Sequence, residues 1–382
     1  MVTAYSWLLR GTLGIPDREE SAVEVDRRRV IAYRVARHGL HRDASELRVL
    51  DLGVQDAGAR SPYVALAARL PGAVDADLVT VWTFRGAPHL IRRSDVGELA
   101  ANLWPRGSAD ALARLGGAGT VFRKAGIDGL DALTRAATAM REVVTEATPR
   151  GHVSTEVTRL LPADYSYDCR SCASTHIYGS LFQLVGLFAG VEVRNESRPT
   201  LLRPLPARHP VPTVSTGATP LIESYLRLHG PATVAHAAGF LDTTQAQTTL
   251  VWPEDLVPVT VEGTPRFLRE SDLDDLLNGP DPAIVRLLPP SDPLLQCRDR
   301  ETLVPAQKHR KEVWKVIGNP GVVLVNGEIT GTWRTKTAGK TLRVQVFPFG
   351  KLPASTTRVL NDEAERVATA RGLPQVTVDI VD

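Results

Sequence analysis

With 382 residues, 43% of them hydrophobic, the chain is long enough for two or three domains with cores of their own. No run of about 18 apolar residues occurs and the apolar start is too short for a secretory signal, so neither a membrane span nor export is expected and the protein reads as cytoplasmic. Three cysteines exclude a disulfide framework, and a net charge of +2 excludes a chain that is basic throughout.

Residues 25–70 read as three helical pieces. In VDRRRVIAYRVARHGL, Ile31, Tyr33 and Val35 lie on one side, Arg27, Arg34 and Arg37 on another, and Gly39 is the stop. Ser45 is expected to cap a second helix with Leu47, Leu50 and Val54 at helical spacing, running into Gln55. The third starts at Ser61-Pro62, where proline suits the first turn, and closes at Pro71-Gly72. DLVTVWTFRGAPHLIRR then changes period, with β-branched and aromatic residues on both sides of Arg85-Gly86-Ala87-Pro88, which predicts a hairpin. Three helices followed by a hairpin is the layout of a winged helix.

A middle unit of the same kind is expected around IYGSLFQLVGLFAG, a helix ending at Gly190 with a strand after it. The Pro-rich RPTLLRPLPARHPVPTV reads as a linker, since its prolines argue against helix and central strand alike. A third unit follows: a helix with Leu221, Tyr225 and Leu228, a helix capped by Thr233, a further helix after Asp242, and a hairpin around Gly263-Thr264. From about residue 284, strand patterns joined by an Asn326-Gly327 turn precede a last helix. The expected division is 1–145 for the first winged helix with a helical extension, 146–217 for the second with its Pro-rich linker, 218–283 for the third, and 284–382 for a β-rich basic domain.

Six of the seven lysines (Lys308, Lys311, Lys315, Lys336, Lys340, Lys351) fall within residues 308–351 of that last domain, a segment that also holds Arg310, Arg334 and Arg343 and only Glu312 and Glu328 against them. One basic region in a chain that is elsewhere net negative suggests a surface facing a polyanion; the plain alternative is a solvated face kept soluble by lysine. Candidate contacts are Arg85 and His89 beside the first hairpin turn, Arg60, and Arg334, Lys336 and Lys340 in an expected loop with Thr335, Thr337 and Gly339. Each single cation could equally be solvated or ion-paired. Trp82, Trp252 and Trp314 read as core residues. Cys169, Cys172 and His176 form a C-x-x-C with a histidine four residues on, but structural zinc normally takes four protein ligands and Cys297 is distant. No metal is expected there; the thiols read as buried and His176 as the start of a helix.

The exposed pair Gln55-Asp56 leaves two readings open. It ends one helix while Asp56 caps the next or makes an Asx-turn before Gly58, or it is a site.

Six segments in order, LGVQDAGARSPYVALAAR, TFRGAPHLI, HIYGSLF, YLRLHGPATVAHAAGFL, VRLLPPSDPLLQCRDR and GVVLVNGEITGTWR, resemble the winged-helix DNA-binding family that contains the AlkZ-type bacterial DNA glycosylases. The resemblance covers nearly the whole chain. It implies an α+β fold of three tandem winged-helix units closed by a C-terminal β-rich domain into a C-shaped channel for duplex DNA. It also implies a monomeric, monofunctional glycosylase without cofactor or metal that removes alkylated purines, often bulky N7-guanine adducts of antibiotics made by the producing bacterium. The family's catalytic motif is Gln-x-Gln or Gln-x-Asp. At the matching place this chain keeps Gln55, has its carboxylate one residue early at Asp56, and ends on Ala57. Gln55 as water positioner and Asp56 as electrostatic stabiliser and base follow from the resemblance; a literal Gln-x-Gln at Gln245-Ala246-Gln247 falls in the third unit and reads as coincidence. The alternatives are a catalytically silent DNA-binding protein or transcription regulator, and an enzyme unrelated to DNA, against which the basic segment argues. The low aromatic content, 5%, disfavours a flipped-base pocket and suits a bulky adduct approached from outside the helix.

Overall fold

The computed structural model describes residues 23–43, 45–72 and 77–381; the apolar start of the chain lies outside them. A strand β1 (Val23–Val25) leads into helix α1 (Arg27–Arg37), capped by the Asp26 carboxylate accepting from Arg29 N at 2.8 Å. The expected second helix is absent: Arg48–Asp51 makes a single 3-10 turn, and Gly53, at φ +74°, has Ile91 Cγ2 only 2.7 Å from where a Cβ would sit. That left-handed residue breaks the helical path. Val54 and Gln55 continue as strand β2 (Val54–Gln55), so Gln55 lies on a strand and not at a helix end. Helix α2 (Ser61–Ala67) begins with Pro62 in its first turn, as expected, and the hairpin β3 (Leu78–Trp82) and β4 (Pro88–Arg92) follows. The sheet order is β2-β4-β3, with Val54 opposite Leu90 and Gln55 opposite His89.

Four helices, α3 (Val96–Leu103), α4 (Ser108–Arg114), α5 (Gly117–Ala125) and α6 (Gly129–Val143), form the helical extension, α6 being capped by Asp128 through Leu130 N and Asp131 N. Next come β5 (Thr148–Pro149), α7 (Arg150–Leu160), a two-stranded hairpin β6 (Ser166–Cys169) and β7 (Ser174–Ile177), α8 (Gly179–Phe188), β8 (Val191–Arg194) and β9 (Leu201–Pro204). The Pro-rich stretch is therefore not all linker: β9 is the middle strand of the sheet β5-β9-β8. The intervening Leu201, Leu202 and Arg203 retain their N–H groups, Leu202 is fully buried, and Pro204 stands at the strand end opposite Val191. Helix α8 lies directly on the first hairpin. A Cβ at Gly186 would fall 2.5 Å from the Trp82 ring.

Helices α9 (Thr219–His229), α10 (Val234–Leu241) and α11 (Gln245–Thr249), the hairpin β10 (Leu256–Val261) and β11 (Thr264–Arg269), and α12 (Leu273–Asn278) follow, with Thr233 and His236 forming a reciprocal cap on α10. The distant β1 joins β10 in parallel, and Val25, Val30 and Tyr33 share a core with Val259, Val261, Leu268 and Leu276, so α1 packs on this hairpin.

The last region contains β12 (Val285–Leu288), α13 (Arg300–Leu303), α14 (Gln307–Val313), β13 (Gly321–Val325), β14 (Glu328–Ala338), β15 (Thr341–Pro348), α15 (Ala354–Ala370) and β16 (Gln375–Ile380). The sheet runs β12-β13-β14-β15-β16, with α15 as the crossover to the parallel strand β16. Asn326 and Gly327 turn β13 into β14 at φ 50° and 85°, as a two-residue hairpin demands. The expected loop around Arg334 is instead the long strand β14, since Thr335–Ala338 pair with Thr341–Val344. Trp82 is buried as expected, whereas Trp252 and Trp314 are only partly so. Buried ion pairs tie the regions together: Arg69 to Asp292 at 2.7 Å, and Arg34 to Asp299 at 2.7 Å. Among the described residues no helix is long and apolar enough to cross a membrane.

Candidate active site

Strand β2 delivers Asp56 to a corner. Asp56 N donates to Pro88 O at 2.8 Å, the last link to the sheet, and the chain then turns sharply. Asp56 Oδ1 accepts from Gly58 N at 2.8 Å, Ser61 Oγ accepts from Ala57 N at 2.8 Å, and Gly58, Ala59 and Arg60 all have left-handed φ (85°, 50° and 56°). Two non-glycine residues in that region each cost on the order of 1 kcal/mol and persist where neighbouring bonds fix them. The corner launches α2, whose Val64 is buried with Leu287, Trp333 and Leu360 of the C-terminal region.

The second carboxylate oxygen of Asp56 looks the other way, accepting from Asn195 Nδ2 at 3.1 Å. Asn195 follows β8, so this bond closes one side of a cleft of about 420 Å³ between the first and second hairpin regions. Asp56, Arg60, Tyr63, Thr80, Glu192 and Asn195 are among its lining residues; Gln55 is not. Asp56 thus makes the Asx-turn of the first reading with one oxygen and faces the cleft with the other. Arg60 is exposed and lies over the Tyr63 ring at 4.7 Å. Glu192 is a second carboxylate in the cleft, but a buried and neutralised one, with Arg203 Nε at 2.8 Å, Arg194 at 3.2 Å and Arg93 at 3.8 Å. Among the described residues Asp56 has no ion-pair partner, which leaves its charge available to the cleft.

A family profile described as AlkZ-like DNA glycosylase matches residues 49–370. The chain belongs to the AlkZ-like DNA glycosylase family. Its fold is similar to that of the Streptomyces sahachiroi DNA glycosylase AlkZ, with a TM-score of 0.70, 21% identity, and coverage of 94% of this chain and 100% of that chain. No curated protein sequence matches. Membership in the AlkZ-like family supports a glycosylase acting on DNA.

The other expected site residues of this AlkZ-like chain divide sharply. His89, expected as a DNA contact, is buried; its Nδ1 lies 2.8 Å from Thr83 Oγ1 and 2.9 Å from Ala87 O, and burial, with Arg85 nearby, pushes its pKa down to about 3. Arg85, also expected there, donates to Phe240 O at 2.7 Å and Gln296 Oε1 at 3.1 Å, and burial lowers its pKa to about 10. Arg85 braces the hairpin against α10 and His89 fixes the turn from within, because the turn points into the molecule. Arg334, Lys336 and Lys340 are exposed, as are Lys308, Lys311, Lys315, Arg343 and Lys351 of the same basic region. Arg334 donates to Gly318 O at 2.8 Å and Arg343 pairs with Asp379, whereas none of the six lysines has an ion-pair partner among the described residues. Sequence reasoning missed Asn195 and Glu192. The polar run Arg194-Asn195-Glu196-Ser197 after a strand was visible, but not that it meets Asp56.

The cysteine cluster also differs from expectation. Cys169 is half-buried and Cys172 exposed, not buried, and His176 lies on β7 rather than at a helix start.

Proposed function

We propose that the chain is a monofunctional DNA glycosylase that excises bulky N7-alkylguanine adducts from duplex DNA. In this reading it works as a cytoplasmic monomer and serves self-resistance in an antibiotic-producing bacterium. The observation that carries it is the unneutralised Asp56 carboxylate facing the cleft beside Asn195.

N7-alkylation makes guanine a cationic leaving group, so its departure needs little acid help. What remains is stabilising an oxocarbenium-like sugar and holding a water on its open face. Asp56 does both, attracting the developing positive charge and accepting the water's proton. Gln55, the residue that would orient that water by the family motif, stands half-buried on β2 outside the cleft lining. Asn195 holds Asp56 through its N–H group and keeps its carbonyl oxygen to accept from the water, standing in for the polar group that Ala57 lacks. No step calls for a metal or organic cofactor.

Duplex DNA is held, in the same reading, by three winged-helix units and the C-terminal sheet forming a C-shaped channel. The support is the recurrence of three-stranded sheets and the exposed lysines of the C-terminal region, none of which has an ion-pair partner among the described residues. Arg60 at the cleft rim contacts a phosphate beside the lesion. A second reading, a DNA-binding relative without excision activity, is favoured by Ala57 at the last motif position. Duplexes carrying N7-guanine adducts of several sizes separate the two. Released base, greatest for the bulky adducts, is expected; tight duplex binding with no base released from any of them would favour the silent protein.

A further inference from the structure

Among the described residues the hairpin β6–β7 is the one sheet of only two strands. It has two strands of four residues, no third strand, and of its side chains only Ile177 is fully buried. Such a ribbon is marginal in water unless something else fixes it. Its base is fixed by Tyr167 stacked on Tyr178 at 5.4 Å between ring centres. Its tip has no apolar anchor.

The tip carries the C-x-x-C. The register sets Cys169 opposite Ser174 and Tyr167 opposite His176, so Cys169 and His176 are diagonal neighbours on one face of the ribbon. The turn, with Ala173 in a left-handed conformation at φ 50°, carries Cys172 back over that face. As a result Cys169 Sγ, Cys172 Sγ and an imidazole nitrogen of His176 all lie within 4.8 Å of one another, and both thiols are free. None of the three lines the cleft at Asp56.

We propose that Cys169, Cys172 and His176 bind a zinc ion, with solvent completing a tetrahedral set. Two thiolates and a neutral imidazole are a donor set that suits zinc, and two thiolates balance its charge. The Ser171 hydroxyl is 3.1 Å from Cys169 Sγ and 3.8 Å from Cys172 Sγ, a hydrogen-bond donor within reach of the first sulfur and close to the second. Ser174 Oγ, 3.2 Å from His176 Nε2, steadies the ring. The ion would clamp the tip that packing leaves unsupported, a structural role separate from the excision chemistry.

The test uses the full chain, untagged, expressed with zinc in the medium. Elemental analysis should find about one zinc per chain, and replacement by cobalt should give the thiolate charge-transfer and intense d–d bands of a tetrahedral site. His176→Ala should lose the metal and His176→Cys should keep it. Chelation of the wild-type protein should open the chain to protease within the turn 170–173. Wild-type protein that holds only substoichiometric zinc and gives no cobalt–thiolate band would overturn the proposal, as would one zinc per chain surviving the double change Cys169→Ser, Cys172→Ser.

Discussion

Asp56 spends its two oxygens differently, and the difference decides how substitutions nearby should behave. Oδ1 belongs to the turn through Gly58 N, and Oδ2 belongs to the cleft through Asn195. Asn195→Ala removes a hydrogen bond to a charged group, worth about 1.5–3 kcal/mol, without touching the turn. If the carboxylate's aim matters for excision, the rate should fall roughly ten- to hundredfold while duplex affinity holds and the thermal midpoint drops by no more than the lost hydrogen bond accounts for. Single-turnover kinetics beside a melting curve would check this, and an unchanged rate would remove Asn195 from the site. The sequence made Asp56 visible as a polar residue in a turn, and the family motif made it a candidate. It hid Asn195, because that hydrogen bond joins residues 139 apart in the chain. It also misjudged Arg85 and His89: a hairpin turn ordinarily faces solvent, and α8 and α10 packing over it bury this one.

At the scale of elements, local pattern carried α1, α2, α8 to α11 and α15 and the hairpins at Arg85-Gly86, Gly263-Thr264 and Asn326-Gly327, since periodicity and Gly-containing turns are properties of contiguous residues, but it read the tight turn at Gly339-Lys340 as a loop. It failed where a partner from elsewhere chose the conformation. Val54–Gln55 becomes a strand because β4 offers its free edge, and Leu201–Pro204 becomes a central strand because β5 and β8 flank it. Two elements invite tests. Helix α8 approaches β3 so closely that Gly186→Ala must displace the buried Trp82 ring, which should cost about 1–3 kcal/mol in chemical denaturation; a neutral result would mean that α8 packs on β3 more loosely than described. Strand β14 and its turn carry three exposed cations. Replacing Arg334, Lys336 and Lys340 together by glutamine should flatten the log–log salt dependence of duplex binding by up to about 0.9 for each phosphate left without its cation. An unaltered slope would place the DNA elsewhere.

The whole molecule depends on polar groups buried where its regions meet, and none of that was legible in the sequence, because Arg69 and Asp292 are 223 residues apart. Both are almost wholly buried, so Arg69→Leu leaves Asp292 uncompensated and should cost about 3–5 kcal/mol in denaturant unfolding; a deficit under about 1 kcal/mol would show that the site rehydrates. Acid acts on a second set. His38, His89 and His229 are buried and held neutral: burial, with His229 beside His38 and Arg34 beside His229, keeps those two well below the usual 6.5, and His89 sits at about 3. Their folded values are depressed, so the unfolded chain binds more protons below pH 6.5. Stability should be flat with respect to these groups above that pH and fall below it, each histidine contributing up to about 1.4 kcal/mol per pH unit until its folded value is reached. Denaturation midpoints through this range that do not decline would mean the rings accept protons without unfolding.

In the proposed reading, the chemistry of the whole assembly rests on Asp56, one half-buried turn residue. Asp56→Asn keeps the shape and the Gly58 bond but removes the charge, so the most direct measurement compares it with wild type for release of base from a duplex bearing a bulky N7-alkylguanine. Excision should be lowered by at least about a hundredfold, since charge stabilisation at such a site is worth several kcal/mol, with duplex affinity equal or higher and stability changed by no more than about 1 kcal/mol. Undiminished excision by Asp56→Asn would contradict this and leave Asp56 as a turn residue alone.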